Sequence, residues 1–258
     1  FRHRDRDYLR LKCYCAWANH NSKRNCERDS YSSCVDKAGT KMITLHYLQC
    51  SRSFRILWAL EELGMDYQVE YYQRTSSYAA PENLKNIHPL GKAPILVDNE
   101  EVIVESAVIL DYLQQQYDGQ QKFKPEQAKD QRQYSYWMHY AEGSLMPLLV
   151  MTLVMNSVSK HVPWVIRPIA QKITDGVKSG FVRPRVKEHI LYLEQYLGEH
   201  DYFAGAFSFA DIQMAFPLIA IQNRLHGKYP NIQAFVQRIQ QRPAFQRAEQ
   251  KSLHSQCA

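Results

Sequence analysis

The sequence predicts an α/β unit followed by an all-helical one. Three observations predict this. Apolar residues alternate between period two and helical spacing as far as Tyr117, a polar stretch holding Pro125 comes next, and helical periodicity prevails from there on.

Ile43, Leu45 and Tyr47 alternate with Thr44 and His46, the pattern of a half-buried strand. Cys50-Ser51-Arg52-Ser53 then supplies hydroxyls suited to a helix start. Phe54, Ile56, Leu57, Leu60 and Leu63 recur at helical spacing up to Gly64, a residue that stops helices. Tyr67 to Tyr72 alternates again, so strand, helix and strand form a parallel, right-handed βαβ unit. Ile95–Val97 and Val102–Val104 read as short strands joined by a turn at residues 98–101. A helix from Ser106 to Tyr117 puts Ile109, Leu110, Leu113 and Tyr117 on one face. The order β-α-β then β-β-α is a thioredoxin-like topology.

The expected organisation is a leader (1–41), a thioredoxin-like domain (42–119), a linker (120–128) and an all-helical domain (129–258). Helices are expected from about Glu126 toward Met146, around residues 150–158, and near Pro168–Gly176, Val182–Leu197, Ser208–Leu225 and Ile232–Gln241. Phe207-Ser208-Phe209-Ala210-Asp211 reads as a capping box. Ser208 would accept the Asp211 N–H while Asp211 reaches back to the Ser208 N–H. Tyr47 is expected in the core, whereas Tyr140, paired at i, i+4 with Tyr136, is a candidate wall of a substrate pocket.

Of the +6 formal charge over 258 residues, residues 1–41 carry ten Lys/Arg and five acids, which leaves the body at +1. A nearly neutral body argues against nucleic-acid binding. Four cysteines (Cys13, Cys15, Cys26, Cys34) lie in the leader; Cys50 and Cys257 suit a reducing, cytoplasmic compartment. The leader lacks an apolar core of the signal-peptide kind and reads as upstream or non-native sequence. A metal site from those four cysteines and His20 is the alternative, but it lacks paired C-x₂-C knuckles, and no metal is expected. The strongly apolar stretch Leu145–Met155 is too short to span a bilayer, so no membrane partner is expected.

Two phrases carry the chemistry. In His88-Pro-Leu-Gly-Lys92-Ala93-Pro94, a proline opening a strand marks an edge or a special turn. If its peptide bond is cis, the Ala93 backbone turns outward to meet an extended peptide. Glu105-Ser106 joins a carboxylate and a hydroxyl to a helix N-terminus, a receptor for the head of a zwitterionic amino acid.

Together with Cys50–Gly64, Tyr136–Pro147 and Ala210–Ile212, these phrases resemble the cytosolic glutathione S-transferases, in particular the bacterial and fungal branch with Ser-Arg-Ser at the first helix. The resemblance runs from about Met42 to Arg247. It implies that Glu105 and Ser106 hold the γ-glutamyl end of glutathione, that Ala93 before Pro94 pairs with the cysteinyl backbone, and that Lys92 reaches toward the glycyl carboxylate. It also implies a homodimer, and glutathione as co-substrate, conjugated to a small hydrophobic electrophile or used to reduce organic peroxides.

Such an enzyme must hold a thiolate, the nucleophilic form. Lowering a thiol pKa by about two units takes ~3 kcal/mol of preference for the anion. One hydrogen bond to the charged sulfur supplies ~1.5–3 kcal/mol. Ser51 and, a close second, Cys50 are the candidate donors, while Ser53 reads as a helix cap. Were Cys50 the donor, thiol–disulfide exchange would become available and the protein would be a glutathione-dependent disulfide reductase. A non-catalytic dimerisation or regulatory module of the same fold is the remaining alternative.

Overall fold

β1 (Ile43–Leu48) lies inside a four-stranded sheet of order β2-β1-β3-β4, with β2 (Tyr67–Tyr72) parallel to it and β3 (Ile95–Asp98) and β4 (Glu101–Val104) forming an antiparallel hairpin. This computed structural model describes residues 42–75, 79–222 and 228–254, and the leader with its candidate metal cluster lies outside them. His46, which alternation puts outward, is nonetheless buried, and its Nδ1 lies 2.9 Å from the Tyr72 hydroxyl. Tyr47 is core, as expected.

Between β1 and β2 runs α1 (Ser53–Leu63), which ends at Gly64 in the left-handed region (φ 65°). The Gly64 N–H bonds to Glu61 O and the Met65 N–H to Leu60 O, the closure that a residue without Cβ permits. After β4, α2 (Ser106–Tyr117) packs against α1 with Ile109, Leu110 and Leu113 buried.

By packing, the chain divides into two units: one runs to Gly119 and takes up the chain again from Gln240, and the other is Gln120–Ile239. The last helix, α9 (Pro243–His254), packs with the first unit. Its side chains explain why. Phe245 meets Phe54 and Trp58 edge-on, Arg242 holds Glu62 through two bonds (2.6 and 2.8 Å), and Arg247 and Lys251 converge on Glu61. Burial pushes the Glu61 carboxyl up, but hydrogen bonds from Lys251, Tyr67 and Arg247 outweigh it and leave the group below its ordinary range. Arg242→Ala removes both guanidinium bonds from the Glu62 carboxylate, which is 7% exposed and keeps the Trp58 indole N–H at 2.9 Å. Its expected cost is about 1–2 kcal/mol, read as a lower urea midpoint.

In the second unit, α3 (Ala128–Tyr140) continues through a π-helical turn (Ala141–Leu145) into α4 (Met146–His161). Two separate helices were expected here. Pro147 lacks an N–H for the i−4 bond, and the π turn absorbs the mismatch without a break. Joined in this way, Ala128–His161 has 34 residues and is long and apolar enough, by length and composition, to cross a bilayer. Tyr134, Trp137, Met138 and Tyr140 in its first half are buried in the helical unit. α5 (Arg167–Val177) likewise passes through a π turn (Lys178–Val182), just before Pro184, into α6 (Arg183–Glu199).

α7 (Phe209–Gln222) and α8 (Pro230–Gln240) complete the helices of this unit among the described residues. The expected linker is tied down by Phe123, whose ring stacks on Phe209 at 4.9 Å and whose carbonyl accepts the Phe209 N–H.

Candidate functional site

Strand directions gather the predicted residues. The registers His46↔Ile95 and Ile95↔Val104 bring the end of β1, the start of β3 and the end of β4 to one end of the sheet. The Cys50–Ser53 loop, Lys92-Ala93-Pro94 and Glu105-Ser106 all emerge there.

The Ala93–Pro94 peptide bond is cis. Because β3 is interior, Pro94 does not mark an edge strand, and it precedes the first ladder residue, where its missing N–H is no loss. Ala93 is half-buried against a cluster of Leu48, Tyr72, Leu84 and Ile95, whereas Lys92 is exposed. Gly91 (φ 54°) makes the turn ahead of them. A Cβ there would lie 2.7 Å from Lys85 Cγ.

Glu105 precedes α2 with φ 70° and ψ 126°, a conformation costly for a residue with a side chain. Its carboxylate is exposed and makes no capping bond to α2, so it does not serve as a helix cap. The first N–H groups of α2 have no intrahelical acceptor, and Ser106 is buried as the opening residue of the helix. A solvent-facing carboxylate over a helix N-terminus can take an ammonium and a carboxylate together.

The loop after β1 is held from a distance. Arg74 donates through Nε to Gln49 O (3.1 Å) and through Nη2 to Cys50 O (3.2 Å). Sequence reasoning missed this residue, since nothing local to Arg74 announces a partner 24 positions away. Cys50 is half-buried with φ 51°.

Ser51 is buried, and its Oγ lies 2.7 Å from Leu48 O and 2.9 Å from Ser53 Oγ while accepting the Ser53 N–H at 3.1 Å. A hydroxyl has one proton, so donating it to a ligand means releasing Leu48 O by a rotation about χ1. Ser53 does not cap α1 as expected. It is the first helical residue, fully buried, and its Oγ accepts the Leu48 N–H at 3.2 Å. Ser51 is what satisfies the first N–H of α1.

Tyr140 differs from its expectation as a pocket wall. In the helical unit it is only 7% exposed, packed on Trp137 with its hydroxyl against His189 Nδ1. Burial pushes its hydroxyl pKa up. Of the pair, Tyr136 is the one whose ring is exposed.

Residues 40–115 match the family described as Glutathione S-transferase, N-terminal domain, and residues 161–250 match Glutathione S-transferase, C-terminal domain. Glutathione S-transferase 3 of Schizosaccharomyces pombe is 36% identical over 213 residues, which cover 81% of this chain and 88% of the relative. Glutathione S-transferase 1 of Saccharomyces cerevisiae is 30% identical over 223 residues, 82% of this chain and 95% of the relative. Among solved structures, a glutathione S-transferase from Actinobacillus pleuropneumoniae superposes with a TM-score of 0.67 at 30% identity, covering 83% of this chain and 96% of that one.

Proposed function

Since the chain belongs to the glutathione S-transferase family, we propose that it is an enzyme that binds glutathione at this end of the sheet, stabilises its thiolate and transfers the sulfur to a small hydrophobic electrophile. The observation that carries the reading is the convergence of Ala93-cis-Pro94, Glu105-Ser106 and the Ser51 loop at one sheet end. Glu105 takes the α-ammonium of the γ-glutamyl residue, and Ser106 with the α2 N-terminus takes its α-carboxylate. Ala93 pairs with the cysteinyl backbone, and Lys92 reaches the glycyl carboxylate. Ser51 donates to the sulfur, so the thiol proton is released to solvent. The sulfur lone pair then forms a C–S bond with the electrophile, whose leaving group (chloride in a chloronitrobenzene) departs with the electrons of the broken bond. The half-buried thiol of Cys50, one residue away, favours a second reading as a glutathione-dependent disulfide reductase.

Relatives from two yeasts and the Ser51-Arg52-Ser53 phrase support the bacterial and fungal branch. The reading includes a homodimer in the cytoplasm. Its support is α4, where Val150, Leu153, Val154 and Val158 form an exposed stripe on a stretch, Met146 to Ser159, without a single charged residue.

The test is retention on immobilised glutathione together with conjugation of a chloronitrobenzene. Glu105→Ala is expected to raise the KM for glutathione about 10–100-fold, the worth of one bond to a charged group. The fold should be unaffected, because this side chain is exposed. An unchanged KM removes Glu105 from the site, and failure of the parent chain both to bind and to conjugate defeats the enzyme reading.

A further inference from the structure

Beyond glutathione chemistry, we propose that the segment from Ser157 to Lys187 docks the helical unit onto a membrane surface carrying anionic phospholipid headgroups. Trp164, Val165, Ile169 and Ile173 are 78%, 65%, 62% and 63% exposed, values unusual for side chains of this size. Ile166, Ile169, Ile173 and Val177 follow one another at steps of three and four and line one face of α5. Trp164 leads into that face, and indole rings favour the headgroup level of a bilayer. With 11 residues, α5 is too short to span, so it would lie in the plane of the surface.

Charge selects the occupant. Between Ser157 and Lys187 there are seven Lys/Arg and one acid, Asp175. The segment therefore carries +6, although the body from Met42 onward sums to +1. The one acid is itself paired with Lys178 at 2.8 Å. Exposed Lys160, Arg167 and Lys172 flank the apolar stripe. Self-association through a twofold axis would set these cations against their own copies, a repulsive arrangement. The uncharged stripe on α4 has no such obstacle. Anionic headgroups meet the cations while the acyl boundary takes Trp164 and the isoleucines.

The full chain, mixed with phosphatidylcholine vesicles with and without phosphatidylserine, is expected to sediment only with the anionic ones, and less so at high salt. Ile169→Asp with Ile173→Asp should weaken that binding about a hundredfold and leave conjugation of a soluble electrophile unchanged. Lys160→Glu with Lys172→Glu, which spares the apolar stripe, should abolish the preference for anionic vesicles. Equal sedimentation of parent and variants overturns the proposal, since the basic residues before Met42 or another face would then carry the binding. Absence of sedimentation by the parent overturns it too. So does a fall in particle mass of the isoleucine variant by light scattering, which would make this face a contact between copies.

Discussion

Asp211→Ala is expected to cost about 3–5 kcal/mol of stability, more than any surface change in the helical unit. The Asp211 carboxylate is fully buried. Oδ1 accepts the Phe203 N–H at 2.9 Å, and Oδ2 accepts both the Ser208 N–H at 2.8 Å and the Ser208 hydroxyl at 3.1 Å. Alanine leaves two backbone N–H groups buried beside Phe209 with nothing to bond. Burial pushes the carboxyl up to about 7, against those three bonds, which pull it down. A carboxyl raised in the fold holds its proton where the unfolded chain has already lost it. This group's contribution is therefore complete below about pH 4 and is lost as pH rises to about 7. Thermal unfolding between pH 4 and 8 checks both statements. Asp211→Asn, which has nothing to titrate, should melt lower than the parent and lack its decline with pH. An identical pH slope in the two proteins would show that the carboxyl does not titrate in this window.

The same residue illustrates what the sequence discloses. The spacing of Ser208 and Asp211 announces a helix start, and half of the expected box is present in Asp211 reaching back to the Ser208 N–H. The other half is not, because Ser208 Oγ donates to the carboxylate and the Asp211 N–H goes to Ser208 O. The reach of Asp211 to Phe203, eight residues upstream, needs a loop whose path no local pattern records. Strands, Gly64 and the start of α2 at Ser106 were legible because period and caps are local properties of the chain. The contact of His46 with Tyr72 and the interior position of β3 depend on what the fold brings beside them, which alternation cannot say. The docking of α9 is more remote still. Arg242, Arg247 and Lys251 read as solvated charges until Glu61 and Glu62, some 180 positions earlier, are brought beneath them. The phrases around Pro94 and Glu105 were legible for a different reason. Each is a compact backbone device, and the sheet registers needed only to set the two side by side.

Ser51→Ala is expected to raise the pKa of bound glutathione by about 1–2 units and to lower kcat/KM at neutral pH about 10–100-fold. To reach the sulfur, the Ser51 side chain must give up an existing bond. Its hydroxyl is committed to Leu48 O at 2.7 Å, so rotating toward sulfur exchanges a neutral acceptor for an anion, and a charge-assisted bond is the stronger of the two. Alanine also removes the acceptor of the Ser53 N–H, at about 1 kcal/mol, so rate alone would confuse a structural loss with a catalytic one. The thiolate absorbance of the bound peptide, titrated against pH, separates them. A loosened loop lowers occupancy without moving the pKa, whereas loss of the donor moves the pKa itself. Ser51→Thr keeps the hydroxyl and should restore the titration. Cys50→Ala serves as the counter-test and should leave the thiolate pKa unchanged while removing any glutathione-dependent disulfide reduction. If instead Cys50→Ala raises the pKa and Ser51→Ala does not, the activating role passes to Cys50. The protein is then a thiol–disulfide exchange enzyme on a transferase fold.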